Sequence, residues 1–127
     1  MLYHDSYDPH YRQPIGAVPT GTEIRVRFLC AEADSVTLRT WDGSEHRAPM
    51  RAIGEDQFEA TLQAPSMPML LWYDFIIHRP DGDARYGTSY DQLGGVGAFY
   101  HGQPQSYQVT VYDPDYETPE FLRRGVI

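Results

Sequence analysis

Leu70-Leu71-Trp72-Tyr73-Asp74-Phe75-Ile76-Ile77-His78 places Leu71, Tyr73, Phe75 and Ile77 on one face of an extended chain and Trp72 on the other. Side chains on a strand alternate between faces, so this run reads as a strand with a continuous apolar face turned to a core. The same period recurs on both sides of it. Glu23 to Cys30 puts Ile24, Val26, Phe28 and Cys30 on one face, with Arg25 and Arg27 opposite. Ser35 to Trp41 alternates Val36 and Leu38 against Thr37 and Arg39, and Gln57 to Gln63 alternates Phe58, Ala60 and Leu62 against Glu59 and Thr61. Ser106 to Tyr112 sets Tyr107, Val109 and Val111 on one side. Helical periodicity is nearly absent. Half-buried strands at close spacing predict an all-β fold, an antiparallel immunoglobulin-like sandwich of seven to eight strands.

Turn residues punctuate these runs. Asp42-Gly43 follows the second strand, Gly54-Glu55-Asp56 precedes the third, and Asp81-Gly82 reads as a tight hairpin. His46 to Ile53, interrupted by Pro49, reads as one weak edge strand. Two stretches escape the pattern. Residues 1–14, rich in Tyr, Asp and Pro, are expected to form an extended arm ahead of a sandwich at 15–112. Residues 86–104, with Gly94-Gly95-Val96-Gly97 at their centre, read as a long irregular loop whose aromatic content favours packing.

Size and charge narrow the function. The chain has 127 residues, 41% of them hydrophobic, which suits one ordered domain. Ten basic residues, all arginine, against 18 acidic ones give a net charge of −8. Such a surface repels phosphate backbones and anionic lipid, so no nucleic acid and no membrane partner is expected, whereas a neutral sugar polymer is not penalised. The single cysteine, Cys30, lies in an apolar run, so a buried thiol is expected and neither an intramolecular disulfide nor a cysteine zinc site can form. Met1-Leu2-Tyr3-His4-Asp5 does not read as a signal peptide, and a cytoplasmic location is the expectation.

Chemistry-bearing constellations are sparse. Most carboxylates, such as Glu23, Glu32, Glu45, Glu55 and Glu59, fall in turns or on polar strand faces, where solvated charge is the plain reading. His4-Asp5-Ser6 contains triad residue types, but neighbours in sequence do not face one another; Asp5 and Ser6 are expected to bond local amides and pin the arm. Asp5, Asp8, Asp81, Asp83 and Asp91 lack the spacing of a calcium loop, and His46, His78 and His101 match no zinc spacing, so no metal and no cofactor is expected.

Order and spacing along the whole chain resemble a known family. The segments are Tyr11-Arg12-Gln13-Pro14-Ile15-Gly16-Ala17-Val18, Leu71 to Ile77, Tyr86-Gly87 with Gly94-Gly95-Val96-Gly97, and Ser106 to Asp113 followed by Pro114 to Leu122. Together they are similar to the amino-terminal domain of neopullulanase- and α-amylase-type glycosidases, a sandwich grouped with starch-binding modules. The resemblance implies a parent enzyme that cleaves α-glucosidic bonds with carboxylates of a (β/α)8 barrel, none of them in this chain, and residues 113–127 as a linker into that barrel. It implies no catalytic residue here. The partners it implies are the barrel of the same chain, α-glucan or maltooligosaccharide, and a homodimer contact.

Aromatic rings carry the functional expectation, because flat rings match the apolar C–H faces of sugars. Trp41, Trp72, Tyr86, Tyr90 and Tyr100 are the candidates for contact with sugar or barrel, and Gly94, Gly95 and Gly97 form the loop expected near the parent's active site. The alternative is a purely structural or protein-interaction sandwich whose aromatics fill a core.

Overall fold

The structure is a computed structural model, which describes residues 2–89 and 94–114. It is all-β: strands from two facing sheets enclose one core, as the alternation predicts. The smaller sheet contains β1 (Leu2–Tyr3), β2 (Arg12–Gln13), β4 (Glu23–Cys30), β7 (Arg51–Gly54) and β8 (Gln57–Gln63). The larger contains β3 (Val18–Pro19), β5 (Ser35–Trp41), β6 (Glu45–Pro49), β9 (Met69–Arg79), β10 (Gly82–Thr88), β11 (Gly97–Tyr100) and β12 (Tyr107–Tyr112).

Strand β9 is the axis of the larger sheet. On one side Ser35–Trp41 pairs with it in antiparallel register from Ser35↔His78 to Trp41↔Trp72. On the other, β12 pairs with its first half and β10 with its second. Leu71, Tyr73, Phe75 and Ile77 are buried, as their parity predicts. They meet Ile24, Val26, Phe28 and Cys30 of β4, which are also buried. Phe28 stacks on Phe75 with centroids 4.4 Å apart and planes 6° from parallel, and such pairs add about 0.5–1.5 kcal/mol beyond the area they bury.

Three sequence readings change. The His46–Ile53 run is not one strand. Residues 45–49 pair with β5 in the larger sheet, and residues 51–54 pair with β8 in the smaller. Met50, buried between them, marks the crossing; Pro49 sits at the end of the edge strand, where a missing N–H costs least. The hairpin after β9 turns on Pro80 and Asp81, one residue earlier than Asp81-Gly82, and Gly82, with φ +124°, opens the return strand. Residues 86–104 are less irregular than their composition implies: 97–100 form β11, paired with the end of β10. No side chain fits at Gly97, because a Cβ there would run into the Gly87 carbonyl and the Tyr107 hydroxyl.

The segment read as an extended arm is, over its described residues 2–14, tied to the sandwich. Strands β1 and β2 pair along β4, and the chain between them turns, with Asp8 N–H donating to the Asp5 carbonyl and Arg12 N–H to the Asp8 carbonyl. His4 is fully buried. Its Nδ1 lies 2.8 Å from the Arg27 carbonyl and its Nε2 2.8 Å from the Tyr73 hydroxyl. A carbonyl can only accept, so Nδ1 carries the proton and Nε2 accepts from Tyr73. Tyr107 and Tyr86 then close around the His4 backbone, Tyr107 donating to its carbonyl at 3.1 Å and Tyr86 accepting from its N–H at 3.2 Å. Burial drives the His4 pKa down from 6.5 to about 3, and burial likewise pushes Tyr73 up to about 12.

Between those two values for His4 the unfolded chain holds a proton that the folded chain refuses. Stability therefore falls as pH drops from about 6.5 toward 3, by up to about 1.4 kcal/mol per unit from this residue. Urea denaturation across that range should show a steeper loss for the native chain than for His4→Gln, with the slopes differing by nearly one proton. Equal slopes would mean that His4 titrates normally.

Candidate functional site

The outward face of the larger sheet carries a row of side chains across three strands. Trp41 on β5 pairs directly with Trp72 on β9, and Trp72 pairs directly with Gln108 on β12. Directly opposed residues on one face sit within side-chain contact range. Trp41 is 42% exposed, and Trp72 is half-buried.

A wall stands beside the indoles. The Gln103–Ser106 segment runs over the sheet face, and Thr88 N–H donates to the Gln105 carbonyl at 2.8 Å. Gly87 permits that approach, since a Cβ there would meet the same carbonyl. Arg39, Trp41, Trp72, Gln103, Gln105 and Ser106 together line an open cleft. A second cleft lies on the other side of Trp72, reached by Gln108 and Thr110.

Below the row, Asp74 is completely buried although it points away from the core. Two arginines and a serine cover it. Arg39 Nη1 donates to one oxygen at 2.9 Å, Arg85 Nη2 to the other at 2.6 Å, and Ser106 Oγ donates at 2.9 Å. Arg39 also pairs with Glu45. Burial works against the charge on Arg39, but its bonds to Glu45 and Asp74 outweigh this and hold the guanidinium protonated more firmly than usual. The network fixes the base of the cleft and anchors the loop that walls it.

These positions revise the aromatic candidates. Trp41 and Trp72 come together at the surface. Tyr86 and Tyr100 do not join them: both are buried, and each hydroxyl is committed. Tyr86 accepts from the Gly97 N–H at 3.1 Å, and Tyr100 donates to the Thr88 carbonyl at 2.7 Å. Alternation explains Tyr86, which faces Phe75 and the core; Tyr100 lies opposite Arg85 on the outward face and is nevertheless covered. Tyr90 lies outside the described residues, as does the 115–127 part of the linker reading. Gly94 and Gly95, with φ +79° and +77°, fold against the Tyr7 ring, and Gly95 N–H donates to Ser6 Oγ at 2.7 Å. The glycine segment thus docks on the amino-terminal segment of its own chain. Asp5 accepts from the Tyr7 N–H at 2.9 Å, a local bond of the expected kind, whereas Ser6 reaches across 89 residues.

Sequence reading missed Arg39, Asp74, Ser106 and Gln108. An acid in the middle of an apolar strand was the available signal, since a buried carboxylate requires partners. Among the described residues Asp74 is the sole fully buried carboxylate, and both its oxygens are held by guanidinium groups. No three His, Cys, Asp or Glu side chains among the described residues are grouped to hold a metal. Cys30 is buried with a free thiol, whose pKa burial raises.

No family model matches the chain. Over 99% of its length it is 31% identical to an amylopullulanase of Thermoanaerobacter thermohydrosulfuricus, and equally so to one of Thermoanaerobacterium saccharolyticum. The chain spans 9% and 11% of those relatives, about a tenth of their length. Among solved structures, a cyclomaltodextrinase superposes on 96% of the chain with a TM-score of 0.60 at 15% identity, the chain covering 21% of it, a likeness of fold.

Replacing Asp74 by Ala leaves Arg39 and Arg85 facing each other without their shared counter-charge. Breaking a buried ion pair from one side costs about 3–5 kcal/mol, so the urea midpoint of Asp74→Ala should drop accordingly. A loss below about 1 kcal/mol, the range of exposed pairs, would show that solvent reaches the network.

Proposed function

We propose that the chain belongs with the amino-terminal β-sandwich domains of neopullulanase- and α-amylase-type glycosidases, that it is a non-catalytic accessory domain of a larger enzyme acting on α-glucans, and that it contacts the glucan through Trp41 and Trp72; the 31% identity to amylopullulanases over 99% of the chain supports this. The paired indoles on the open face of the larger sheet carry this reading. An α-glucan offers C–H faces to stack on such rings and hydroxyls to bond with the amides and guanidinium around them. Gln103, Gln105, Gln108 and Arg39 supply those groups beside the rings. This is the general make-up of small-ligand sites, apolar platforms with a few placed polar groups. The chemistry of hydrolysis would come from another part of the parent chain. Glycoside cleavage needs two available carboxylates, and Asp74 has neither oxygen available.

A second reading rests on a different patch. Leu70 and Tyr112 are both exposed, at 45%, and lie diagonally on the same outward face, next to an apolar cleft lined by Pro68, Val111 and Pro114. This patch fits contact with the rest of the parent chain. The two readings use neighbouring surfaces and are compatible.

Titration with maltooligosaccharides, followed by tryptophan fluorescence, tests the first reading. Loss of one stacked ring costs about 1–2 kcal/mol, or roughly tenfold in affinity. Trp72→Ala and Trp41→Ala should each weaken binding by about that factor while Tyr112→Ala leaves it unchanged. Unaltered fluorescence at millimolar sugar would leave the interdomain role alone.

A further inference from the structure

We infer that the cleft lined by Arg12 is a binding site for a carboxylate group. Arg12 is the one fully buried arginine among the described residues, 4% exposed. Its Nη1 donates to the Gln108 carbonyl at 3.2 Å and its Nη2 to the Gly16 carbonyl at 3.0 Å, and the guanidinium lies 5.8 Å from the centre of the Tyr73 ring. These partners are neutral. They orient the group but do not cancel its charge. Its Nε is buried with no hydrogen-bond partner, a state it shares with Arg25, Arg79 and Arg85; what sets Arg12 apart is that it is fully buried and no described carboxylate forms an ion pair with it. The contrast with the rest of the sandwich is direct: Arg27, Arg39, Arg47, Arg51 and Arg85 each pair with Glu or Asp. Arg25 and Arg79 have no such partner either, but both keep part of their side chains in solvent. A buried guanidinium without an anion is costly.

Two further donors open on the same cleft of about 290 Å³. Ser6 and Thr88 line it, and they are 3% and 2% exposed. Each hydroxyl oxygen accepts a main-chain N–H, Ser6 from Gly95 at 2.7 Å and Thr88 from Gly94 at 3.2 Å. Accepting leaves the O–H proton of each free to donate, and neither donates to any described residue. A guanidinium whose charge no described acid cancels, and two buried hydroxyls with unused protons, line one cleft that has donors and lacks an acceptor. Arg presents a fork that matches a carboxylate. The cleft has room for one small carboxylic acid or for one acidic side chain of a neighbouring domain, and those two sources share this chemistry. The inference is independent of the glucan reading, since maltooligosaccharides are neutral.

The test follows the Arg12 Nε–H resonance in ¹H–¹⁵N spectra of the labelled chain during titration with sodium acetate, with N-acetylglutamate N-methylamide, and with sodium chloride at matched ionic strength. A saturable shift with the carboxylates and none with chloride is expected. Tighter binding of acetate would identify a free metabolite-sized acid, and tighter binding of the glutamate derivative an acidic side chain. Arg12→Lys keeps the charge but loses the fork and should weaken binding about tenfold. Thr88→Val removes one donor and should weaken it as well, which keeps the test decisive should Arg12→Lys not fold. No shift at millimolar carboxylate, an equal shift with chloride, or full affinity in Thr88→Val would overturn the proposal.

Discussion

Strand β9 bears two demands at once. It is hydrogen-bonded along both edges, to β5 on one side and to β12 and then β10 on the other. A strand paired on both sides cannot slip by one residue without exchanging its faces. Its inward face, Leu71, Tyr73, Phe75 and Ile77, fills the core; its outward face carries Trp72 and Asp74. The same register that buries Phe75 against Phe28 therefore sets Trp72 beside Trp41 and Asp74 beside Arg39. Core packing and the placement of the two indoles are fixed by one pairing, so neither can shift without the other.

Asp74 sits where β12 leaves β9 and β10 takes over. At this fork the outward face would open to water. Arg39, Arg85 and Ser106 close it instead, and Gln105 is drawn down onto Gly87. A buried ion network of this kind adds little net stability compared with an apolar replacement, yet it is strict about geometry. Here that strictness falls on the loop that walls the tryptophan cleft. A Leu in place of Asp74 would pack, but it would leave Ser106 and the arginines with no reason to hold the loop at that height.

The sandwich was legible because it rests on period-two alternation, a local signal strong in β4, β5, β8, β9 and β12; β10, of similar length, was masked by its glycines. The edges were not. Arg12–Gln13 and Leu2–Tyr3 are too short to show a period, and their pairing with β4 is decided by burial of His4 and by the turn at Asp5–Arg12. The Glu45–Gly54 run carries no apolar face at all apart from Met50, so nothing in it announces a change of sheet. For the site, the sequence supplied residue types but not facing. Trp41 and Trp72 were separable from a core role only once register was known. Tyr86 and Tyr100 look as available as either tryptophan in composition, yet parity turns Tyr86 inward, and Tyr100, on the outward face opposite Arg85, is buried with its hydroxyl on the Thr88 carbonyl. Arg12 reads as one more surface base until β2 aims it between the sheets.

Charge shapes what this surface can accept. The chain is acidic overall, yet the cleft around Trp72 is bordered on both sides by arginine, neutralised by Asp74 and Glu45 at Arg39 and unpaired at Arg12. The first side therefore presents nearly neutral hydrogen-bonding groups, which suit an uncharged ligand, and the second presents a positive one. A long-range field of one sign would favour an ion over a sugar. Pairing Arg39 with two acids suppresses that field at the indoles and keeps the guanidinium as a directional donor. The unpaired Arg12, held out of solvent between the two sheets, is oriented by the Gln108 carbonyl and lies beside the Tyr73 ring. Two neighbouring clefts, one nearly neutral and one positive, can thus share one tryptophan without competing for the same ligand.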